Sequence, residues 1–157
     1  MKEIKNVLDK NIANDIKETL LSNNFGWYLQ NVIVNTKCKD KYFVHNFFDG
    51  AINSAFFDKI IIPILGQFTY KNIIRVKANL YSKTSKIIEH PFHIDNNGEH
   101  KVAIYYVNSN NGKTIFKNGK SIKSEENKLL LFSGQKEHKS TTCTDENFRI
   151  NININYS

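Results

Sequence analysis

Three side chains in the second half of the chain have the types and spacing of a metal centre. His93-Ile94-Asp95 sets an imidazole and a carboxylate two residues apart, and on an extended strand that places both on one face. A histidine from a distant strand would complete a facial triad, the two-imidazole, one-carboxylate set associated with non-haem Fe(II) and three open coordination positions. His138 fits that place, because it opens a later segment of strand character. A His-x-Asp pair alone also arises by chance among polar surface residues, so support must come from elsewhere.

Arg149 supplies the strongest support. It begins the segment Arg149-Ile150-Asn151-Ile152-Asn153-Ile154-Asn155, whose alternation is strict. Ile150, Ile152 and Ile154 share one face, and Arg149, Asn151, Asn153 and Asn155 share the other. With the isoleucines against helices, the polar row faces a barrel interior. An inward guanidinium needs an anion, and a carboxylate is its best two-pronged partner. An arginine on a solvent-facing strand side is the alternative. The segment Arg75-Val76-Lys77-Ala78-Asn79-Leu80-Tyr81 alternates in the same way, with Arg75, Lys77, Asn79 and Tyr81 on one side. Asn79 and Tyr81 together could hydrogen-bond a second carboxylate or a keto acid; ordinary barrel-lining roles are the alternative.

These residues need a scaffold, and the pattern of the chain indicates one. Apolar residues at helical spacing predict a helix over Ile4–Leu21, closed by Ser22-Asn23-Asn24. Strands are expected at Trp27–Val34 and Tyr42–Phe47, then a second helix from about Ser54 to Gly66, kinked by Pro63. From Ile73 the pattern becomes short extended runs: Ile73–Tyr81, Lys86–His93, Val102–Asn108, Lys113–Phe116, Lys128–Phe132, His138–Thr142 and Phe148–Tyr156. Asn108–Gly112 and Lys117-Asn118-Gly119 read as turns. Two helices followed by seven or eight strands predict a mainly β protein, an antiparallel sandwich or barrel with helices on one sheet.

Composition narrows the function classes. The chain has 157 residues, 40% of them hydrophobic and 24% charged, enough for one domain with a real core. No apolar run approaches a bilayer span, and the charged start Met1-Lys2-Glu3-Ile4-Lys5 has no leader-like apolar stretch. Cys38 and Cys143 make neither a disulfide framework nor a metal knuckle. A single cytoplasmic domain is expected. The net charge of +7 suggests a nucleic-acid partner, yet of the 22 basic residues only Arg75 and Arg149 are arginine. Lysine excess in an Asn- and Ile-rich chain is a compositional habit, and lysine lacks the fork that reads phosphate or guanine.

As a set, His93-x-Asp95, His138 and Arg149 resemble the HxD…H…R order of the 2-oxoglutarate/Fe(II)-dependent dioxygenases, in the prolyl-4-hydroxylase-like branch with its small viral and bacterial members. Ile104-Tyr105-Tyr106-Val107-Asn108 is similar to the strand after the HxD in prolyl hydroxylases, and Asn108 through Phe116 to the turn and strand that follow. The likeness covers about Ile73–Tyr156 and is much less specific before it. It implies a double-stranded β-helix, a jelly-roll or cupin-like barrel, with N-terminal helices packed on the major sheet. One domain over residues 1–157 is implied, with helical support to about residue 70 and the catalytic barrel over about 71–157.

The resemblance further implies that His93, Asp95 and His138 hold Fe(II) and that Arg149 pairs with the distal carboxylate of 2-oxoglutarate. Tyr81 takes the place of a tyrosine that contacts the co-substrate, Tyr106 that of a second tyrosine, and Asn151 a position lining the site. Asn79-x-Tyr81 is similar to a pair in the alkylation-repair branch. The implied activity consumes O₂ and 2-oxoglutarate, with ascorbate as a candidate auxiliary, and releases succinate and CO₂. It hydroxylates an unactivated C–H, of a peptidyl residue or a small molecule such as an amino acid. Asp95 favours hydroxylation, since related halogenases carry a small residue there. The competing reading is a nucleic-acid demethylase or base oxygenase, but that branch repeats an arginine where this chain has Asn155. A binding module without activity on the same barrel is the third reading, and the intact triad argues against it.

Remaining residues carry plainer expectations. His90 and His100 are expected in solvent, His45 on a strand and Trp27 in the core. Arg75 is expected either to face substrate or to brace the fold through an ion pair.

Overall fold

The computed structural model describes residues 1–30 and 42–157; the second half of the strand expected at Trp27–Val34, and Cys38, lie outside the described residues. Ten strands are described: β1 (Lys2–Lys5), β2 (Tyr28–Gln30), β3 (Tyr42–Asp49), β4 (Ile73–Ser82), β5 (Lys101–Tyr106), β6 (Lys113–Phe116), β7 (Ser121–Lys123), β8 (Lys128–Ser133), β9 (His138–Ser140) and β10 (Phe148–Tyr156). Helix α1 spans Lys10–Leu21, and a π-helical turn at Phe57–Ile61 runs into the short α2 (Ile62–Leu65).

Two antiparallel sheets result. The larger has the order β1-β8-β5-β10-β4-β3-β2, and the smaller the order β7-β6-β9. At the centre of the larger sheet β10 lies between β4 and β5, with Ile152 opposite both Ala78 and Tyr105. The register follows from the alternation. Val76, Ala78, Leu80, Ile150, Ile152 and Ile154 are buried in one cluster with Ile16 and Leu20 of α1 and Ile61 and Ile64 near α2. A slip of one residue would put the asparagine row of β10 into that cluster and the isoleucines into the barrel. Each isoleucine gains about 1.5–3 kcal/mol from burial, so the slipped register is strongly disfavoured. The opposite face meets the small sheet over a second core that includes Ile104, Phe116, Leu130 and Phe132.

Three expectations differ from the structure. The helix expected from Ile4 begins only at Lys10, and residues 2–5 form an edge strand on β8. Asn6 turns the backbone to φ 50°, and Asp9 caps α1 by accepting the Asn11 amide at 2.8 Å. Ile4 and Val7 pack on the core from outside the helix, so their spacing mimics a first turn. The second helix is split rather than continuous; Pro63 has no N–H to donate into the preceding turn, which widens instead. Lys86–His93 forms no strand, only the isolated bridges Glu89 to Thr141 and His93 to His138. Pro91 interrupts any ladder there.

Candidate metal centre and co-substrate pocket

Between the two sheets lies a cavity of about 250 Å³, lined by His93, Asp95, His138, Arg149, Asn79, Asn151, Tyr81 and their neighbours. The bridge between the segment before Asp95 and β9 puts the two histidines side by side. The His93 amide donates to the His138 carbonyl at 2.9 Å, and the His138 amide to the His93 carbonyl at 3.0 Å. Asp95 then faces both rings, with Oδ1 at 3.8 Å from Nε2 of His93 and Oδ2 at 3.8 Å from Nε2 of His138. One ligand atom from each residue lies within 4.8 Å of the others, close enough to hold one metal ion.

The surroundings fit that use. Nδ1 of His93 lies 3.3 Å from the Pro91 carbonyl and Nδ1 of His138 lies 3.0 Å from the Lys136 carbonyl. Each ring therefore donates from Nδ1 and keeps the Nε2 lone pair for the centre, the arrangement that orients imidazole ligands. Asp95 accepts from the Asn153 amide at 3.1 Å, the Asn155 amide at 3.4 Å and Arg75 at 3.5 Å. Burial and the nearby His138 hold His93 below the ordinary histidine range, against the pull of Asp95. Burial pushes the Asp95 carboxyl up, but His138, the Asn153 amide, His93 and Arg75 outweigh it and leave the group below its usual value. A neutral imidazole and an ionised carboxylate are the forms that ligate.

Arg149 is 0% exposed, and its partners are all neutral. Nε donates to Ser124 Oγ at 2.9 Å, and the two terminal nitrogens donate to the Thr141 carbonyl and Thr114 Oγ1, both at 3.3 Å. Its guanidinium carbon sits 5.4 Å from the centre of the Tyr81 ring. Among the described residues no carboxylate pairs with it, although a buried uncompensated charge costs several kcal/mol. Gly112 makes room for this side chain: a Cβ there would collide with Arg149 Cδ and lie 2.8 Å from Asn110 Oδ1.

The other expected residues divide. Asn79 and Asn151 line the cavity and bond each other, Nδ2 to Oδ1, at 3.0 Å. Tyr81 lines it too, accepting from Ser140 Oγ at 3.2 Å and stacking on Tyr42 at 5.3 Å. Tyr106 is buried behind the wall and reaches the site through Thr114, whose Oγ1 accepts its hydroxyl at 2.8 Å. Burial pushes that phenol up to about 12, against the nearby Arg149, so it is a donor at any ordinary pH. Asn155 faces inward on Asp95 and Asn153. His90 and His100 are buried, not solvated: His90 Nδ1 lies 2.7 Å from Ser140 Oγ, and His100 packs its ring on Gly134. His45 sits on β3, and Trp27 packs on the main core. Thr114 on β6, Ser140 on β9 and Ser124 just after β7 escaped sequence reasoning, because single hydroxyl residues on or beside short strands carry no periodic signal.

No family model matches the sequence, and no curated protein matches it. Solved structures do match. A prolyl hydroxylase from Trichoplax adhaerens, in complex with a hypoxia-inducible-factor peptide fragment, superposes with a TM-score of 0.69 at 15% identity, over 99% of this chain and 82% of that one. An oxidoreductase of the 2OG-Fe(II) oxygenase family from Burkholderia pseudomallei gives 0.67 at 13%, over 98% and 82%. The viral collagen prolyl hydroxylase of Paramecium bursaria Chlorella virus-1, in its 2OG complex, gives 0.65 at 14%, over 99% and 96%. The chain is thus a double-stranded β-helix, with the fold of those hydroxylases.

Proposed function

We propose that residues 1–157 act as one catalytic domain, an Fe(II)- and 2-oxoglutarate-dependent dioxygenase that hydroxylates an unactivated C–H. One observation carries this reading: a two-histidine, one-aspartate group and a fully buried arginine with no carboxylate partner among the described residues line the same cavity. His93, Asp95 and His138 would hold the iron. When bound, the metal with 2-oxoglutarate and O₂ supplies the oxidising power for C–H hydroxylation, releasing succinate and CO₂.

The chain's own residues do the positioning. Arg149 receives the distal carboxylate of the co-substrate and gains the anion it lacks. Thr114, already a hydrogen-bonding partner of both Arg149 and Tyr106, steadies that end. Asn79 and Asn151 hold each other at the floor and present their remaining amide groups to the co-substrate. Arg75, Asn153 and Asn155 fix the rotation of the Asp95 carboxylate, so that it offers a defined oxygen to the metal. Ile104 adds an apolar wall, which strengthens the polar contacts inside. The fold shared with prolyl hydroxylases, one of them seen with a bound peptide, supports a peptidyl residue or an amino acid as substrate.

The test is metal binding and succinate release by His138→Ala beside the wild-type protein. The wild type should bind Fe(II) and form succinate from 2-oxoglutarate, and the variant should lose both. Succinate formation that survives the substitution overturns the reading.

A further inference from the structure

The barrel interior holds more positive charge than iron and co-substrate account for. Arg75, Lys77 and Arg149 all line the cavity, and among the described residues Asp95 is its one carboxylate. Two charges on Fe(II) cancel two on 2-oxoglutarate, so the loaded site would still carry a surplus of two. Arg149 takes one end of the co-substrate; the surplus sits with Arg75 and Lys77, neighbours along the inward face of β4.

Neither of these two has a counter-ion of its own among the described residues, because Asp95, the carboxylate beside Arg75, also faces His93 and His138. Arg75 reaches Asp95 only at 3.5 Å, through one terminal nitrogen whose other partner is the Asn155 side-chain oxygen at 3.2 Å. Its Nε is buried with no hydrogen-bond partner among the described residues. Lys77 has no hydrogen bond and no ion pair among the described residues, and it pairs across the sheet with Asn153 and Asn46, which are neutral. Burial first, then Arg75, draws its ammonium below the ordinary lysine range, against the weaker pull of Asp95. A lysine kept half-buried beside an arginine, with no ion pair among the described residues, is equipped for an incoming anion.

We propose that Arg75 and Lys77 form a carboxylate-recognition subsite, and that the substrate is a small molecule with a free carboxylate near the oxidised carbon. This rests on the dioxygenase reading and separates the amino acid from the neutral peptidyl residue: an unblocked acid fits, and a capped peptide leaves Arg75 with only its long contact to Asp95 and brings Lys77 no anion.

The experiment uses the whole protein with Fe(II) and 2-oxoglutarate. The visible charge-transfer band of the iron–co-substrate complex is recorded first. Succinate release is then measured with the common free amino acids and short carboxylic acids, each beside its carboxamide, and with N-acetyl-prolinamide. At least one acid should outrun its amide about tenfold or more in kcat/KM. Lys77→Met should raise the KM for that acid by a similar factor and so remove most of its lead over its amide, and Lys77→Arg should restore that lead. A panel in which no acid exceeds its amide, including one silent throughout, overturns the subsite. So does an acid preference that Lys77→Met leaves intact. Absence of the charge-transfer band instead removes the dioxygenase reading.

Discussion

Arg149 is the most demanding side chain of the cavity, since its guanidinium is fully buried with no carboxylate partner among the described residues. Its fork is held by Ser124, Thr141 and Thr114, so the cation is aimed before any ligand arrives. Replacing it with lysine keeps the charge and loses the planar, two-pronged geometry. Arg149→Lys should therefore weaken 2-oxoglutarate binding by roughly tenfold or more, a loss of one good charge-assisted hydrogen bond, read by titrating the iron–co-substrate absorbance. An unchanged affinity would place the co-substrate elsewhere. At this scale the sequence was legible where residue type and register coincide: His93, Asp95, His138, Arg149, Asn79, Tyr81 and Asn151 all reach the cavity. Tyr106 could not be placed from its strand position alone, because whether it touches the cavity depends on Thr114 standing in between.

Among the elements, β3 shows how a polar side chain can be used to tie segments together. His45 is buried with its ring 4.1 Å from that of Phe25, Nδ1 lies 2.6 Å from the Gly26 carbonyl, and Nε2 lies 2.7 Å from Ser54 Oγ. The carbonyl can only accept, so Nδ1 carries the proton and Nε2 takes one from the serine hydroxyl. Burial, opposed in part by the Gly26 carbonyl, lowers the pKa of this ring below 6.5. A histidine depressed on folding binds fewer protons in the native state than in the unfolded one, so its stabilisation is present above the unfolded value and is lost as pH falls. Unfolding midpoints should drop from pH 7 into the range below 6.5, and His45→Gln should flatten that slope in chemical denaturation. An unaltered slope would show that the imidazole is not the group responsible. The alternating strands were legible for a related reason: β10 carries a period of two over its whole length, and β4 over Arg75–Tyr81. β1 was not, because four residues on a sheet edge give too short a pattern, and Ile4 and Val7 continue the helical spacing of α1 by coincidence.

For the molecule as a whole, the surface charge and the interior charge tell different stories. The net +7 is spread over many lysines, whereas the described residues of the cavity concentrate three cations around one carboxylate. Among the described residues no helix is long and apolar enough to cross a membrane. Ligands that fill the cavity should act on the entire fold, because its walls come from β4, β9 and β10 and so join both sheets. Saturating Mn(II) with 2-oxoglutarate, at a hundredfold over Kd, should add about 2.7 kcal/mol to unfolding, seen as a raised Tm, with no such gain in His138→Ala. The position of β10 adds a kinetic consequence. Its partners β4 and β5 precede it by a long stretch of chain, and until it inserts they present two unpaired edges. Closure of the central sheet is thus a late, long-range and slow event. The same strand carries Arg149 and the asparagines that steady Asp95. A nascent chain stalled before this step would lack both the groups that steady Asp95 and the buried cation of the cavity, so the site is completed only once the sheet is whole.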